Sequence, residues 1–357
     1  MAAAAAERDA LSPFSLVTLS GTQKWLNVTG CDGTMQISVR TECETVGGDW
    51  SLAAPASRLA RFAAALPEGG VRLLPSAACD KLTIEGCGVR FSTFAKEPIS
   101  AMGGVEGSSS LGVPANVLRS LLCHVKYAMC DDTTRKALDG VHIECRDSRL
   151  SAVATDGRRL AHVEWDCGDS ADAERPFAVT LPRRTVETLV SLIKRDDSDE
   201  LGVHADSKSI MIVHSRWCVT SKVLDIPYPK WRQVVPQKQQ GVAAMDRAML
   251  VAALERVALV ADSQTGAAMG ITADGVKFAA RRYGDGDGAT AGAEFGGVTP
   301  EGGTWNGVVN PRYMLDALKC ADDSAVRIRF DDPSSVRPIT IEGEAPWYCV
   351  LMPMRAK

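Results

Sequence analysis

No two of the eleven cysteines form a C-x-x-C pair, and their separations from Cys31 to Cys349 follow no regular pattern. Structural zinc sites and redox motifs need close pairs, and a disulfide scaffold is far shorter than 357 residues. The thiols are expected to be reduced and mostly buried, as small apolar residues of a cytoplasmic protein. Long apolar runs are also missing. The best stretch, Met249 to Val260, contains Glu255 and Arg256, and the opening MAAAAAERDALSPF has no basic segment ahead of its alanines and has Glu7 soon after them. Neither a membrane span nor a signal peptide is expected. There is no G-x-x-x-x-G-K-[ST] loop and no H-E-x-x-H, and the five histidines lie apart from any nucleophile pattern. His162, near Glu164, reads as strand surface. The run Tyr283-Gly284-Asp285-Gly286-Asp287-Gly288 lacks the later glutamate of a calcium loop and reads as a flexible loop. No catalytic residues, no cofactor, no metal and no exonuclease activity are expected. A net charge of −4 excludes a surface that coats nucleic acid all over, although a local basic lining is compatible with it.

What is present is the balance of a globular protein, 45% hydrophobic and 24% charged, in a chain long enough for two or three domains. One order of features recurs. In the middle of the chain, Val117, Leu118, Leu121, Leu122, Val125 and Met129 form a helical stripe, with Pro114 suited to the first turn. Alternating strands follow, turning at Asp147-Ser148 and Asp156-Gly157. A second amphipathic helix has Val186, Leu189, Val190 and Ile193 inward, and further strands close the unit. The last part repeats this with a helix from Asp246, a hairpin around Asp274-Gly275, a Gly-rich loop, a helix from Asn310 and three strands. The first part offers strands, one helix near Pro55 to Pro67, and strands, but too few residues precede Phe14 for an opening strand and helix. Small polar stretches at Gly103 to Ser110 and Pro236 to Gly241 divide the chain into residues 1–107, 108–238 and 239–357. Each unit is expected to cover a sheet with helices, an α+β arrangement, and three in tandem predict an array that continues or closes.

The faces opposite the apolar stripes carry Arg58 and Arg61, then Arg119, Lys126, Arg183, Arg184, Lys194 and Arg195, then Arg247, Arg256, Arg312 and Lys319. On one helix such residues are an ordinary solvated face, and Glu187, Glu255 and Asp316 accompany them. Their recurrence in all three units suits a common basic side facing a polyanion. No zinc finger spacing, basic region or RNP-type strand is present, so the expected contacts are to phosphates and independent of sequence. Trp217 and Trp231 read as core or interface packing rather than base-stacking platforms.

Two motifs are specific: Val153-Ala154-Thr155-Asp156-Gly157-Arg158-Arg159-Leu160-Ala161 and Val350-Leu351-Met352-Pro353-Met354-Arg355, with the helix start Asn310-Pro311-Arg312-Tyr313 between them. On these residues and the threefold pattern, the chain from about Ala10 onward resembles the bacterial DNA polymerase III beta subunits, the DNA sliding clamps. The resemblance implies three tandem clamp domains in a head-to-tail homodimeric ring, with helices lining a central pore and sheets outside. It implies a processivity factor of DNA replication that encircles duplex DNA and tethers the polymerase III alpha subunit. It also implies an ATP-driven clamp loader and other clamp-binding polymerases and repair proteins as partners, no membrane, and no catalysis by the chain itself.

The family takes partner peptides in a pocket between its second and third domains. Carried over by motif, the pocket comprises Leu138, Thr155, Gly157, Arg159, Leu160, Pro229, Val234, Asn310, Tyr313, Pro338, Val350, Met352, Pro353 and Met354. Methionines adapt to varied apolar anchors, and Arg159 or Arg355 is expected to hold a carboxylate or polar group of the peptide. Ordinary packing is the plainer account of the methionines. The cations Arg58, Arg61, Arg119, Lys126, Arg183, Arg184, Lys194, Arg247, Arg312 and Lys319 would face DNA, and Leu259 and Val260 would help close the ring. Arg158 stands where the family commonly has His, Gln233 where it often has Arg, and Ala356-Lys357 where the end is usually apolar, so peptide preference is expected to differ. The missing opening helix leaves an accessory clamp relative that binds the same peptides without encircling DNA as the alternative. A repeat-built hydrolase or sugar-binding protein has no catalytic constellation to support it.

Overall fold

A computed structural model describes residues 2, 6, 12–44, 48–105, 109–168, 176–261, 265–282, 289–331 and 337–355. In chain order the first segment runs β1 (Leu16–Gly21), β2 (Trp25–Cys31), β3 (Met35–Glu42), β4 (Trp50–Pro55), α1 (Ala56–Ala65), β5 (Val71–Pro75), β6 (Lys81–Gly86) and β7 (Val89–Phe94). The second runs β8 (Ser109–Pro114), α2 (Ala115–Val125), β9 (Gly140–Arg146), β10 (Arg149–Thr155), β11 (Arg159–Asp166), β12 (Phe177–Pro182), α3 (Arg183–Leu192), β13 (Glu200–Ala205), β14 (Ser209–Val213) and β15 (Trp217–Lys222). The third runs β16 (Gly241–Asp246), α4 (Arg247–Ala258), β17 (Ala267–Thr272), β18 (Gly275–Arg282), β19 (Ala289–Phe295), β20 (Thr299–Glu301), β21 (Trp305–Val309), α5 (Pro311–Cys320), β22 (Ala325–Phe330), β23 (Ile339–Glu342) and β24 (Trp347–Leu351). The second and third segments share one order of strands and helices, apart from the extra short β20. The first, among the described residues, has one helix. The stretch before Ser12, where an opening helix would lie, is outside the described residues except for Ala2 and Ala6, and so is Tyr283 to Gly288.

The chain forms two compact units, residues 1–116 with 169–223, and residues 117–168 with 224–357. In the first, β4, β1, β2, β3, β15, β14, β13 and β8 lie side by side, and β5, β6 and β7 form a smaller sheet. Phe62 of α1 stacks on Phe91 of β7 with ring centroids 4.6 Å apart, within a core that includes Leu52, Leu82 and Ile84. Burial of such side chains is worth about 1.5–3 kcal/mol each. α3 buries Thr185, Val186 and Leu189, and the Thr185 and Ser221 hydroxyls meet at 2.7 Å.

In the second unit β9, β10, β11, β24, β23, β22, β16 and β20 are neighbours in that order, and β19, β18, β17 and β21 form another sheet. α4 packs on α5 and on β18 and β19, burying Leu250, Ala253, Leu254 and Val257. Asp246 caps α4 by accepting from the Met249 N–H at 2.8 Å, a Ser/Thr/Asp/Asn role of the usual kind. Asp147 and Ser148 carry φ of 52° and 56°, the paired left-handed conformations of the two-residue hairpin turn that their sequence predicts.

Several expectations are corrected. Pro114 closes β8 and precedes α2 instead of lying in its first turn, which lets β8 pair with β13 up to Pro114 and Glu200. Lys126 sits on a 3-10 turn after α2, and Lys194 and Arg195 lie beyond the end of α3. Ala289 onward is not loop but strands β19 to β21, with small residues at Gly292 and Ala293 pairing β18. His162 is buried at 6% exposure, because Trp231 and Tyr348 cover its ring. Of the free cysteines, five are buried, five intermediate and Cys87 exposed. No helix among the described residues is long and apolar enough to cross a membrane.

Candidate functional site

The two motifs singled out in the sequence are neighbours in the second unit. Antiparallel pairing of β11 with β24 sets Arg159 opposite Leu351 and Leu160 opposite Val350, and the Met352 N–H donates to the Arg158 carbonyl at 2.9 Å. Leu160 and Val350 therefore leave the sheet on one face, where they pack with Val153 and Trp231 and with the partly buried Tyr228, Val235 and Tyr348. The segment after Pro229 is folded onto that face: the Trp231 N–H donates to the Pro229 carbonyl at 2.7 Å and the Val234 N–H to the Trp231 carbonyl at 3.1 Å. Val234 stays 59% exposed and Met352 46%, so apolar surface remains uncovered beside this cluster. Pro229 is also exposed and Leu138 buried.

The turn between β10 and β11 is built by its own polar groups. Asp156 Oδ1 accepts from the backbone N–H of Arg158 and of Arg159 at 2.8 and 2.9 Å, and the Thr155 hydroxyl donates to the Arg159 carbonyl at 2.6 Å. Gly157 takes φ +84°, a conformation in which a side chain would be strained. Leu138 lies in the short turn behind, linked through Arg135, whose Nη1 donates to the Asp156 carbonyl at 3.1 Å.

Arg159 joins this turn to α5. Its Nε donates to Asp156 Oδ2 at 3.1 Å, its Nη1 to Asp316 Oδ2 at 2.6 Å and its Nη2 to the Tyr127 carbonyl at 2.5 Å. The guanidinium lies 4.3 Å from the centre of the Tyr313 ring. Its charge, against the cost of burial, is held by these carboxylates, which raise the guanidinium's affinity for its proton. Three of the five N–H donors of Arg159, expected from the sequence to hold a carboxylate or polar group of a peptide, are thus engaged within the chain, and its side chain is 9% exposed. Exposed Arg158 and Arg355 are the cations that remain nearby in sequence. Asn310 caps α5 by accepting from the Arg312 N–H at 3.0 Å, with Pro311 at the first helical position, which places Tyr313 on the first turn. Met354 forms a bridge to Val308, and the Pro338 carbonyl accepts from Gln239 Nε2 at 2.9 Å.

Sequence reasoning missed the groups that hold these residues. Asp316 entered only as a charge on a helix face, and Tyr127, Tyr228 and Tyr348 carry no motif. His142 stacks on Tyr228 at 4.6 Å and His162 on Tyr348 at 4.7 Å; ring partners so far apart in the chain leave no periodic signal. Burial and the charge of Arg232 lower the His162 pKa to about 4, while burial pushes the Tyr348 phenol up to about 12. Trp217 and Trp231 are buried, as packing residues should be.

The cations expected to face DNA differ in setting. Arg58 and Arg61 are exposed on α1, and Arg312 is exposed at the start of α5. Arg184 pairs with Asp32 at 2.5 Å and Lys319 with Glu255 at 3.0 Å. Arg119, Lys126 and Arg183 are half-buried, and Lys194 is exposed. Arg247 departs most, because its guanidinium donates to the carbonyls of Asp323 and Leu318 at 2.6 and 3.1 Å, closing the end of α5. Leu259, after the last turn of α4, is 84% exposed, and Val260 is half-buried.

Comparison with known proteins covers nearly the whole chain. Residues 112–230 match the family model of the DNA polymerase III beta subunit, central domain, and residues 232–355 that of its C-terminal domain. The beta sliding clamp of Synechococcus elongatus is 27% identical over 356 residues, spanning 97% of this chain and 92% of the relative. That of Pseudomonas aeruginosa is 25% identical, spanning 98% and 94%. The solved structure of a DNA polymerase sliding clamp from Bacillus subtilis superposes with a TM-score of 0.90 at 18% identity, covering 100% of this chain and 95% of that one. A Pseudomonas aeruginosa sliding clamp bound to griselimycin gives 0.88 at 24% identity, covering 99% and 95%. The fold is thus the α+β clamp fold.

Proposed function

Because the chain belongs to the DNA polymerase III beta-subunit family, the bacterial sliding clamps, we propose that it is a replicative processivity factor that closes around duplex DNA as a homodimer and tethers the polymerase alpha subunit. The observation that carries this reading is the pairing of Leu160 with Val350, which puts the two family motifs side by side in one sheet. Three tandem domains, residues 1–107, 108–238 and 239–357, would form each half of a six-domain ring. The peptide pocket lies where the second and third meet, with Leu160, Val350, Pro229, Val234 and Met352 as its apolar part and Tyr313, Asn310, Pro353 and Met354 as its second part. Arg159 acts there as a strut, not as an anion receptor. Partners are the alpha subunit, the clamp loader and other polymerases and repair proteins that carry clamp-binding peptides.

DNA contact falls to the helix cations with open surface, Arg58, Arg61 and Arg312 foremost, and it is sequence-independent because only phosphates are addressed. Lys126, Arg119, Arg183, Arg184, Lys194 and Lys319 add to the basic lining. Leu259 and Val260 belong to the dimer seam: a leucine at 84% exposure is the kind of apolar surface that a second copy covers. The chain works in the cytoplasm and leaves catalysis to its partners. Primer extension on a long singly primed template, with polymerase, loader and ATP, tests this reading. Added chain lengthens the product of each binding event; products of unchanged length contradict it. Griselimycin, the ligand of the related clamp, serves as a probe of the pocket.

A further inference from the structure

Three side chains of the first unit converge where α3 leads into β13 and β14 turns into β15. Asp197 and Asp199 lie between α3 and β13, and His214 directly follows β14. One ligand atom from each lies within 4.8 Å of the other two. His214 Nε2 stands 3.4 Å from Asp197 Oδ2 and 3.2 Å from Asp199 Oδ2. No ligand spacing marks these residues in the chain, because only the pairing of β13 with β14 brings His214 back to the aspartates.

Each of the three is held by contacts that leave those atoms turned toward one another. The Asn116 and Ala115 N–H groups donate to the Asp197 and Asp199 carbonyls at 2.8 and 2.9 Å, which fixes the backbone of the acidic segment. Asp197 Oδ1 accepts from the Asp199 N–H at 3.1 Å, so Oδ2 is the oxygen left for a ligand. On the other side, the His214 N–H donates to the Trp217 carbonyl at 2.8 Å, and the two rings stack at 4.8 Å, 5° from parallel.

Two observations point to a cation. His214 is 4% exposed and its Nε2 has no hydrogen-bond partner, although two carboxylate oxygens stand close by. A buried polar nitrogen left in this way is costly unless something else satisfies it. The second observation is charge: among the described residues, neither Asp197 nor Asp199 pairs with a Lys or Arg, and His214 is the cationic partner of both only when protonated. A divalent ion between the three atoms satisfies Nε2 and offsets both carboxylates. The ligand atoms of a tetrahedral zinc ion, each about 2.0–2.2 Å from it, stand about 3.3–3.6 Å from one another, close to the spacings found here. One imidazole with two carboxylates suits zinc and its first-row neighbours; magnesium and calcium favour shells made of oxygen alone.

We propose that Asp197, Asp199 and His214 form a zinc-type metal site that fastens the segment after α3 to the turn between β14 and β15. Asp199 is exposed, so the fourth position opens to water on its side. The Arg216 N–H donates to His214 Nδ1 at 3.1 Å, which places the proton of the neutral, ion-free ring on Nε2. Metal binding at Nε2 moves that proton to Nδ1 and displaces the Arg216 contact. Ser215 Oγ, 3.4 Å from Nδ1, then accepts it, while its own O–H donates to Asp199 Oδ2 at 3.0 Å. An outer link of this kind orients a metal-binding imidazole.

Equilibrium dialysis of the reduced full chain against zinc chloride tests the site, with Asp197→Asn/Asp199→Asn as the reference because it keeps every thiol that also takes zinc. The parent should bind one equivalent more than this variant, and excess magnesium should not displace it. Asp199→Asn and Ser215→Ala, both at exposed residues, should keep the fold by circular dichroism and weaken that equivalent about tenfold or more. A second readout needs no double variant to fold. In the chain labelled with ¹⁵N-histidine, with the His214 ring assigned from its shift in Ser215→Ala, zinc should move the ring proton from Nε2 to Nδ1. Equal zinc binding by parent and double variant up to about 1 mM zinc, the weak end of specific affinity, would overturn the proposal. So would a His214 ring still protonated on Nε2 in saturating zinc, or displacement of the extra equivalent by magnesium.

Discussion

Arg159 and Asp316 meet at 2.6 Å, and through this pair the turn between β10 and β11 is fastened to α5 beside the Tyr313 ring. The pair ties the first motif segment to α5, and the pairing of β11 with β24 sets the second beside it. Removing the Asp316 charge leaves a mostly buried guanidinium with Asp156 as its remaining carboxylate. Asp316→Asn should lower unfolding stability by about 1–3 kcal/mol in urea titration and weaken griselimycin binding with it. Arg159→Lys should cost at least as much, since an ammonium cannot reach Asp156, Asp316 and the Tyr127 carbonyl together or stack on Tyr313. Wild-type stability in Asp316→Asn would show that the pair is incidental.

Met352 and Met354 distinguish a binding groove from plain packing. Met352 is 46% exposed, so its truncation removes little buried surface. The double variant Met352→Ala/Met354→Ala should keep its fold by circular dichroism and lose griselimycin affinity about tenfold or more, as expected for central apolar contacts. Calorimetry that gives the wild-type affinity would reject the assignment of these residues to the pocket.

Leu259 bears on assembly. At 84% exposure it contributes almost nothing to the folded monomer, and an arginine there meets only water unless a second copy covers it. In analytical ultracentrifugation Leu259→Arg should shift the chain from dimer to monomer while thermal unfolding of the monomer stays near that of the parent. A variant that remains dimeric at the same concentration would remove Leu259 from the seam.

His162 makes stability depend on pH. Its folded pKa is lowered from 6.5 to about 4, by burial first and by Arg232 second, so the unfolded chain binds the proton more readily. The stabilisation is complete above pH 6.5, declines as the pH falls toward 4, and is lost below that; two and a half pH units correspond to about 3 kcal/mol at most. Urea midpoints at pH 7, 5.5 and 4.5 should fall for the parent more steeply than for His162→Phe, which keeps the ring contacts without the titration. Parallel slopes would contradict this.

Much of the fold was legible in the residues because local rules agreed with the final structure. Asp147-Ser148, Asn310-Pro311 and the stripe from Leu118 to Val125 announce a hairpin, a capped helix start and a buried face. The boundaries that were misjudged lie where composition misleads. β19 is rich in Ala and Gly, which are depleted in strands, and is held by its pairing with β18 instead. Pro114 ends β8 rather than starting α2, which no helix-start rule separates. The motif residues of the site were readable from the sequence, but their support was not. Asp316, Tyr127 and Trp231 act through contacts between distant segments, and the burial of His162 depends on Trp231 folding back over β11 and β24. A hydrophobic period cannot report such pairings.

The central claim is that the chain closes around DNA, and topology tests it most directly. The chain loaded on nicked circular duplex DNA by clamp loader and ATP should remain bound through gel filtration at high salt, where phosphate contacts alone are weakened, and should be released when a restriction enzyme linearises the circle. Loss from the intact circle, or retention after linearisation, would contradict encirclement; a stable monomer that binds griselimycin but is not retained on circles would mark an accessory peptide-binding relative instead.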